Sequence, residues 1–129
     1  MANNHVFGVQ FGVAGVITPN ATTYLYPGNG ITTTNEPRIA APRTGTLKNM
    51  YIFQRLASGN AGRTDVYTVR VNGVDTTIIC TLNNATSGND TTNTKAVAAG
   101  DQISIKLVSN NALDASADVG VSLEIEFSQ

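Results

Sequence analysis

A hairpin signal in the middle of the chain constrains the fold more than any other feature. The pair Asn72-Gly73 separates two runs rich in β-branched residues within residues 64–82. Asn and Gly tolerate the positive φ angles of a type I′ turn, and the twist of that turn matches the twist of two paired strands. The apolar face of the first strand carries three alternating residues, Tyr67, Val69 and Val71. The segment therefore predicts an antiparallel hairpin with one face directed to a core.

The same alternation recurs along the rest of the chain. Near the carboxyl end, apolar residues occupy every second position, at Val119, Val121, Leu123, Ile125 and Phe127. A shorter stripe of the same kind precedes it at Ile103, Ile105 and Leu107. Turn-forming residues interrupt such segments at intervals of roughly ten residues, a spacing that is typical of β-sandwiches and barrels.

Composition supports an all-β domain. Charged residues are only 13% of the chain, about half the usual share. The chain instead holds 17 Thr and 14 Asn, and these residue types favour strands and turns respectively. We predict a single domain over residues 1–129, an eight-stranded jelly-roll β-sandwich. An immunoglobulin-like sandwich is the alternative, although the single Cys80 excludes the inter-sheet disulfide of antibody domains.

The segment 46–56 differs from the other predicted strands because both of its faces are apolar. By alternation, the apolar residues on one face are Leu47, Tyr51 and Phe53. Those on the opposite face are Met50 and Ile52. In a two-layer β domain only one face of a strand meets the core. We therefore expect a second copy of the chain to cover the other face, with a surface loop folded over it as the alternative.

One face of the segment 5–17 consists of small residues. The apolar positions Phe7, Val9, Phe11 and Val13 alternate with Gly8, Gln10, Gly12 and Ala14. A strand with small residues on one face allows another backbone or another subunit to approach closely.

Few residues are available for catalysis or metal binding. His5 is the only histidine and Cys80 is the only cysteine, so a catalytic triad or a zinc site lacks its components. Cys80 lies among apolar residues, where a small buried hydrophobe is the plain interpretation. Asp114 and Asp118 flank a loop, and we interpret them as turn formers rather than calcium ligands. We predict no enzymatic activity, no cofactor and no metal.

Charge and hydropathy argue against two classes of partner. The formal net charge is −1, and the eight basic and nine acidic residues are spread along the chain, without the basic footprint of a nucleic-acid binder. No apolar run approaches the roughly 18–20 residues that span a membrane. The first residues do not have the pattern of a signal peptide. We expect no nucleic acid, no membrane partner, and synthesis in the cytoplasm unless another export route operates.

Four segments between Arg38 and Leu107 resemble those of a known family of domains. They are APRTGTL (41–47), YTVRVNGVDT (67–76), TSGNDTT (86–92) and VAAGDQISI (97–105). Their order is similar to that of small jelly-roll domains in tailed-phage virions and bacterial surface proteins, which share the topology of tumour-necrosis-factor and C1q-like heads. The resemblance covers a little over half of the chain.

This resemblance implies a homotrimer in which one sheet of each subunit faces a threefold axis. The trimer-interface candidates are then Leu47, Met50, Tyr51, Ile52, Phe53, Glu124 and Glu126. Of these, Met50, Tyr51, Ile52 and Phe53 are expected to contribute to the core as well as to trimer contacts.

The chain has no collagen-like Gly-X-Y stalk, so among these relatives it is most similar to capsid decoration, or cement, proteins. Such a protein implies two partners, other copies of this chain and the major capsid protein, and a location on the capsid surface of a virion made in the host cytoplasm. Residues 1–8 are expected to form an extended arm. Its capsid-anchoring candidates are Asn3, Asn4, His5 and Phe7. The alternative is a receptor- or carbohydrate-binding head of a phage tail fibre or a bacterial surface appendage.

Overall fold

A computed structural model describes residues 5–57, 63–110 and 117–127. Within these ranges the chain forms eleven strands, β1 (His5–Val16), β2 (Thr22–Tyr24), β3 (Tyr26–Pro27), β4 (Ile39–Ala40), β5 (Gly45–Leu56), β6 (Thr64–Val71), β7 (Val74–Asn83), β8 (Ser87–Asp90), β9 (Lys95–Val97), β10 (Gln102–Ser109) and β11 (Ala117–Phe127). Five of them are only two to four residues long, so the described strands outnumber the eight that were predicted. No helix occurs in the described ranges. The prediction of an all-β fold is confirmed.

The strands form two antiparallel sheets. The six-stranded sheet has the order β3-β1-β11-β5-β8, and β9 pairs with β5 on the same edge as β8. The five-stranded sheet has the order β2-β10-β6-β7, and β4 also pairs with β10. Buried apolar side chains from both sheets form one core. This two-layer arrangement is compatible with the predicted β-sandwich.

The hairpin predicted over residues 64–82 is confirmed. The strands β6 and β7 pair directly on either side of the turn. Asn72 and Gly73 have φ angles of 52° and 78°, as a type I′ turn requires. Tyr67 and Val69 are fully buried, so the apolar face of this hairpin is directed to the core.

The alternating stripes near the carboxyl end are also confirmed. On β10 the buried residues are Ile103, Ile105 and Leu107. On β11 they are Val119, Val121, Leu123, Ile125 and Phe127. Both strands lie inside their sheets, with hydrogen-bonded neighbours on each side, and this double pairing holds the side-chain alternation in register.

The residue Asn49 interrupts the alternation of β5. Tyr51 pairs with Ser122 and Lys48 pairs with Glu124, so two residues of β5 lie opposite one residue of β11. Asn49 has a φ of 51°, a left-handed conformation that Asn adopts more readily than most residues. This combination is a β-bulge, which adds one residue to the strand and changes which side chains face inward.

The bulge overturns the predicted faces of β5. Leu47, Met50 and Ile52 all point into the core, with 0%, 0% and 3% of their surface exposed. Tyr51 and Phe53 point away from it. The prediction that Leu47 shares a face with Tyr51 and Phe53 is therefore wrong, because the extra residue lies between them.

Candidate functional site

Two exposed aromatic side chains stand on the outer face of the six-stranded sheet. Tyr51 is 53% exposed and Phe53 is 59% exposed. Their partners on β11 are Ser122 and Gly120, and a Cβ atom added at Gly120 would meet no atom within 4 Å. These four residues form the outer aromatic face. It consists of two large rings whose small neighbours leave them uncovered.

Paired polar side chains border the outer aromatic face. Lys48 donates a hydrogen bond to Glu126, and this bond is the main reason why the pKa of Lys48 is raised. Asn49 Nδ2 donates to Glu124 Oε2 at 2.7 Å. The two glutamates that were predicted to lie at a trimer interface therefore each have a partner within the chain.

The structure divides the predicted trimer-interface residues into two groups. Leu47, Met50 and Ile52 are covered within one chain, so the prediction that their side chains contact a second copy is wrong. The predicted contribution of Met50 and Ile52 to the core is confirmed, whereas the same prediction for Tyr51 and Phe53 is wrong because more than half of each side chain is exposed. Tyr51 and Phe53, with Glu124 and Glu126 beside them, remain at the surface, and their place in a trimer stays a prediction.

The predicted amino-terminal arm belongs partly to a sheet. Residues 5–8 pair with β11 as the first part of β1, so the prediction of an extended arm is wrong for these residues. Phe7 is 54% exposed, and its ring centroid lies 5.4 Å from that of Phe127. The other anchoring candidates, Asn3 and Asn4, lie outside the described residues.

A polar groove of about 410 Å³ adjoins the outer aromatic face, where β1 and β11 meet the turn at residues 28–29. The polar side chains that line it are Gln10, Asn29, Asp118 and Ser122. Gly12 forms part of its floor, and a Cβ atom there would lie 2.9 Å from Gly28 O, so only glycine fits. Gly120 and Ser122 line the groove and also pair with Phe53 and Tyr51, so the groove borders the outer aromatic face.

The carboxylate of Asp118 is held in place at this groove. It accepts the backbone N–H of Gly15 at 2.7 Å and pairs with Arg55. These two contacts, the first being the larger, lower the pKa of Asp118. An ionised carboxylate of this kind offers hydrogen-bond acceptors but little that resembles a catalytic acid.

The residues considered for chemistry do not come together. In the three described ranges no group of three or more His, Cys, Asp or Glu residues is placed to hold a metal ion. Cys80 is buried, and burial raises the pKa of its thiol, so it is the small buried hydrophobe that was predicted. Asp114 lies outside the described residues.

Asp90 is a buried carboxylate that joins the two sheets. Its Oδ1 accepts the backbone N–H groups of Thr92 and Asn93, and its Oδ2 accepts the Ile79 N–H and the Asn93 side-chain amide, all at 2.9–3.0 Å. Burial opposes ionisation, but these four hydrogen bonds outweigh it and lower the pKa of Asp90 to about 2. Because every contact is within the fold, the role of Asp90 is structural.

The outer face of the five-stranded sheet carries an ion network that sequence analysis missed. Glu36 lies 3.0 Å from Arg38 Nη2 and 3.3 Å from Arg70 Nη1. Arg70 Nε lies 3.0 Å from Asp75, which also pairs with Lys106. Two of these residues come from a loop and the others come from β6, β7 and β10. Arg70 and Asp75 face each other across the predicted hairpin, but no spacing along the chain predicts the contacts of Glu36 with Arg70 or of Lys106 with Asp75.

Comparison with models of known protein families finds no match, and comparison with curated proteins finds no relative with significant similarity. In the part of the chain that the structure describes, no helix is long and apolar enough to cross a membrane.

Proposed function

We propose that this chain is a non-enzymatic structural protein of a phage virion, a decoration or cement protein that binds the assembled capsid as a homotrimer. The single observation that carries the proposal is the outer aromatic face, where Tyr51 and Phe53 are more than half exposed on a regular sheet. Exposed rings that are surrounded by small residues mark surfaces where another molecule packs.

The pairing of the strands supports a jelly roll. If β8 and β9 are counted as one strand and β3 and β4 as short additions, the first strand pairs with the last and the second with the second-last. The third then pairs with the sixth and the fourth pairs with the fifth. Such nested pairing results when one long antiparallel ribbon is rolled into two sheets, which is the architecture of jelly rolls.

The trimer would form through the outer aromatic face. Covering the exposed half of Tyr51 and Phe53 would contribute roughly 2–3 kcal/mol per ring. A stable interface needs about 800 Å² on each partner, so the two rings would act as anchors within a larger contact. The open space above Gly120 and above Gly8 allows a neighbouring subunit to approach the sheet closely.

The mechanism of a cement protein would be bridging. A molecule that binds the assembled shell but not its separated subunits stabilises the shell by mass action. A trimer with three equivalent contact surfaces gains further from multivalency, because the second and third contacts form within one molecule. No catalytic residue is needed for this activity.

The mass of the protein in solution tests the trimer. We expect light scattering to give three times 13.5 kDa, and we expect Tyr51→Lys with Phe53→Lys to give a monomer. The matched control is Ile79→Lys, which changes a 44% exposed apolar residue of β7 on the other sheet. A monomeric unmodified protein, or a trimer that survives the double substitution, would contradict the proposal.

Binding to the shell is tested separately. The protein should co-sediment with capsids that lack it, at several hundred copies or in a fixed ratio to the major capsid protein, and it should raise the temperature at which they break. Failure of this test with an intact trimer would leave the trimer standing and would refute the virion assignment.

The polar groove favours a second candidate, a carbohydrate-binding head. Its amide and hydroxyl groups at Asn29, Gln10 and Ser122 beside Phe53 are the mixture of hydrogen bonds and ring surface that a neutral sugar requires. Specific retention on an immobilised glycan, lost in Asn29→Ala and retained in Ile79→Lys, would favour this function over the capsid protein.

A further inference from the structure

An apolar pocket of about 280 Å³ opens at one end of the sandwich, where β1 and β11 lie close to β4 and the residues that follow it. Its apolar lining residues include Phe7, Val9, Ile39, Pro42, Ile125 and Phe127. The pocket lies on the inner side of the six-stranded sheet, whereas the outer aromatic face is on the opposite side. It is therefore a second feature, independent of the proposed trimer.

The pocket has a buried floor and an exposed wall. Ile125 and Phe127 are 3% exposed and belong to the core, whereas Phe7 is 54% exposed. The rings of Phe7 and Phe127 are inclined at 54° with centroids 5.4 Å apart, a favourable geometry for an aromatic pair. The volume is slightly below the usual range for small-molecule sites, about 300–1,000 Å³, so the pocket suits a ligand of about one residue in size.

A single cation stands at this pocket. The Arg43 guanidinium lies 5.7 Å from the centroid of the Phe127 ring, within the range of a cation–π contact. Among the described residues, the carboxylates form ion pairs with Arg38, Arg55 and Arg70 but not with Arg43. The five N–H donors of Arg43 therefore remain available to an anion, and the planar guanidinium is suited to a carboxylate.

We propose that this pocket binds the carboxyl-terminal residue of a partner polypeptide whose last side chain is apolar. The side chain would fill the space between Phe7 and Ile39, and the terminal carboxylate would pair with Arg43. The apolar lining matches the side chain of that group, and the Arg43 guanidinium, which has no ion-pair partner among the described residues, matches its carboxylate. Capture of a chain end by fixed donors is a known mode of peptide recognition.

The smallest probe of this chemistry is N-acetylphenylalanine, compared with its carboxyl-terminal amide. In a titration followed by ¹H–¹⁵N NMR, the acid should shift the amide signals of Phe7, Ile39 and Ile125 to saturation. Because Arg43 is exposed, we expect the acid to bind only about two- to fivefold more tightly than the amide. Equal affinity of the two probes, or shifts confined to other parts of the protein, would overturn the proposal.

Variants separate the charge from the apolar contact. Arg43→Gln should remove the preference for the acid, and Arg43→Lys should retain most of it. Phe7→Ala should weaken both probes, whereas the control Val74→Ala, which shortens a 66% exposed apolar side chain outside this pocket, should leave both unchanged. Unaltered signal dispersion of the variants shows that they are folded.

Octanoate is the probe that distinguishes a polypeptide carboxyl terminus from a fatty acid as the ligand. It carries the same carboxylate on a longer, unbranched apolar chain. Weaker binding of octanoate than of N-acetylphenylalanine is expected because the flexible octanoate chain loses more conformational freedom on binding and offers no ring to pack against Phe7. Tighter binding of octanoate would contradict a polypeptide terminus as the ligand.

Discussion

The two sheets of this protein differ in how their outer faces meet the surroundings. On the five-stranded sheet, Glu36 folds over Arg70 and accepts a hydrogen bond from Ser104 Oγ at 2.6 Å. On the six-stranded sheet, Tyr51 and Phe53 stand in the open. Both sheets obey the same alternation of inward and outward residues. Alternation decides which side chains point away from the core, but it does not decide whether other residues of the same chain cover them.

The outer face of the five-stranded sheet needs no partner chain because its charged side chains pair with one another. Burial raises the pKa of Glu36, but hydrogen bonds from Ser104 and Arg38 and the charge of Arg70 outweigh burial, so the pKa is lowered overall. Only 15% of the Glu36 side chain and 16% of the Arg70 side chain are exposed. The outer aromatic face has no equivalent cover among the described residues, and this is why a second copy of the chain is proposed for that side.

The largest effect on stability is expected from the ion network. Arg70→Met removes the cation that joins the Glu36 and Asp75 carboxylates, each of which keeps one other ion-pair partner. Because Arg70 and Glu36 are largely buried, the change should lower the free energy of unfolding by about 2 kcal/mol. The matched change on the other sheet, Arg55→Met, breaks a pair whose side chains are 59% and 40% exposed, so it should lower the same quantity by less than about 1 kcal/mol. Urea denaturation of both variants measures the difference. Equal losses of unfolding free energy would mean that the ion pairs on the two outer faces contribute equally to stability.

Acid should weaken the junction that Asp90 forms between the two sheets. The pKa of Asp90 falls from its ordinary 3.8 to about 2 in the folded protein. The contribution of a group with a lowered folded pKa is fully present above the unfolded value and is lost as the pH falls towards the folded value. The unfolding free energy should therefore decrease by on the order of 1–2 kcal/mol between pH 4 and pH 2 because of Asp90.

The variant Asp90→Asn isolates this contribution. It should be less stable than the unmodified protein at pH 7, and its stability should depend less on pH between 4 and 2. Lys106→Met is a suitable control because it leaves the four hydrogen bonds of Asp90 untouched. A pH dependence that is identical in Asp90→Asn and in the unmodified protein would exclude Asp90 as its source.

A smaller effect is expected at the bulge that turns Tyr51 outward. Asn49→Ala places a residue with a Cβ at a φ of 51° and should be about 1 kcal/mol less stable than Asn49→Gly, which adopts this angle freely. Both variants lose the hydrogen bond to Glu124 equally, so their difference in urea midpoint reports the backbone alone. No difference between them would argue against the left-handed bulge.

The smallest effect on folding is expected at Gly120. Because a Cβ atom there meets no atom within 4 Å, Gly120→Ala should change the unfolding free energy by no more than about 0.5 kcal/mol. The same change at Gly88 would collide with Leu82 and Cys80, and it serves as the contrast. A folded Gly120→Ala protein with weakened self-association would show that the added methyl group affects only the contact between copies of the chain.

Much of the fold follows from local signals in the chain. The turn at Asn72-Gly73 and the alternation of β10 and β11 depend on backbone preferences and on side-chain period, and both can be seen without a partner strand. The strand β5 was predicted at nearly its observed bounds, yet its faces were assigned wrongly on one side of Asn49. An Asn inside an apolar run was the signal that could have warned of a bulge, although Asn occurs in many regular strands as well.

The candidate surfaces were less predictable than the strands. Phe7 was assigned to an arm because residues 1–8 are uncharged and rich in Asn, but its pairing with β11 and its contact with Phe127 place it at the apolar pocket. Arg43 carried no signal in the sequence, because what distinguishes it is the absence of an acidic neighbour among the described residues.

The sequence by itself determined that this chain is all-β, that its hairpin turns at Asn72-Gly73 and that its last strand has one apolar face, because these properties depend on residues within a few positions of one another. Only the tertiary structure decided that Tyr51 and Phe53 face outward while Leu47, Met50 and Ile52 face inward. That choice is made by the register between β5 and β11, in which Asn49 meets Glu124 across 75 positions of chain. A contact of that range depends on how two distant segments pair within one sheet, and no local pattern contains that information.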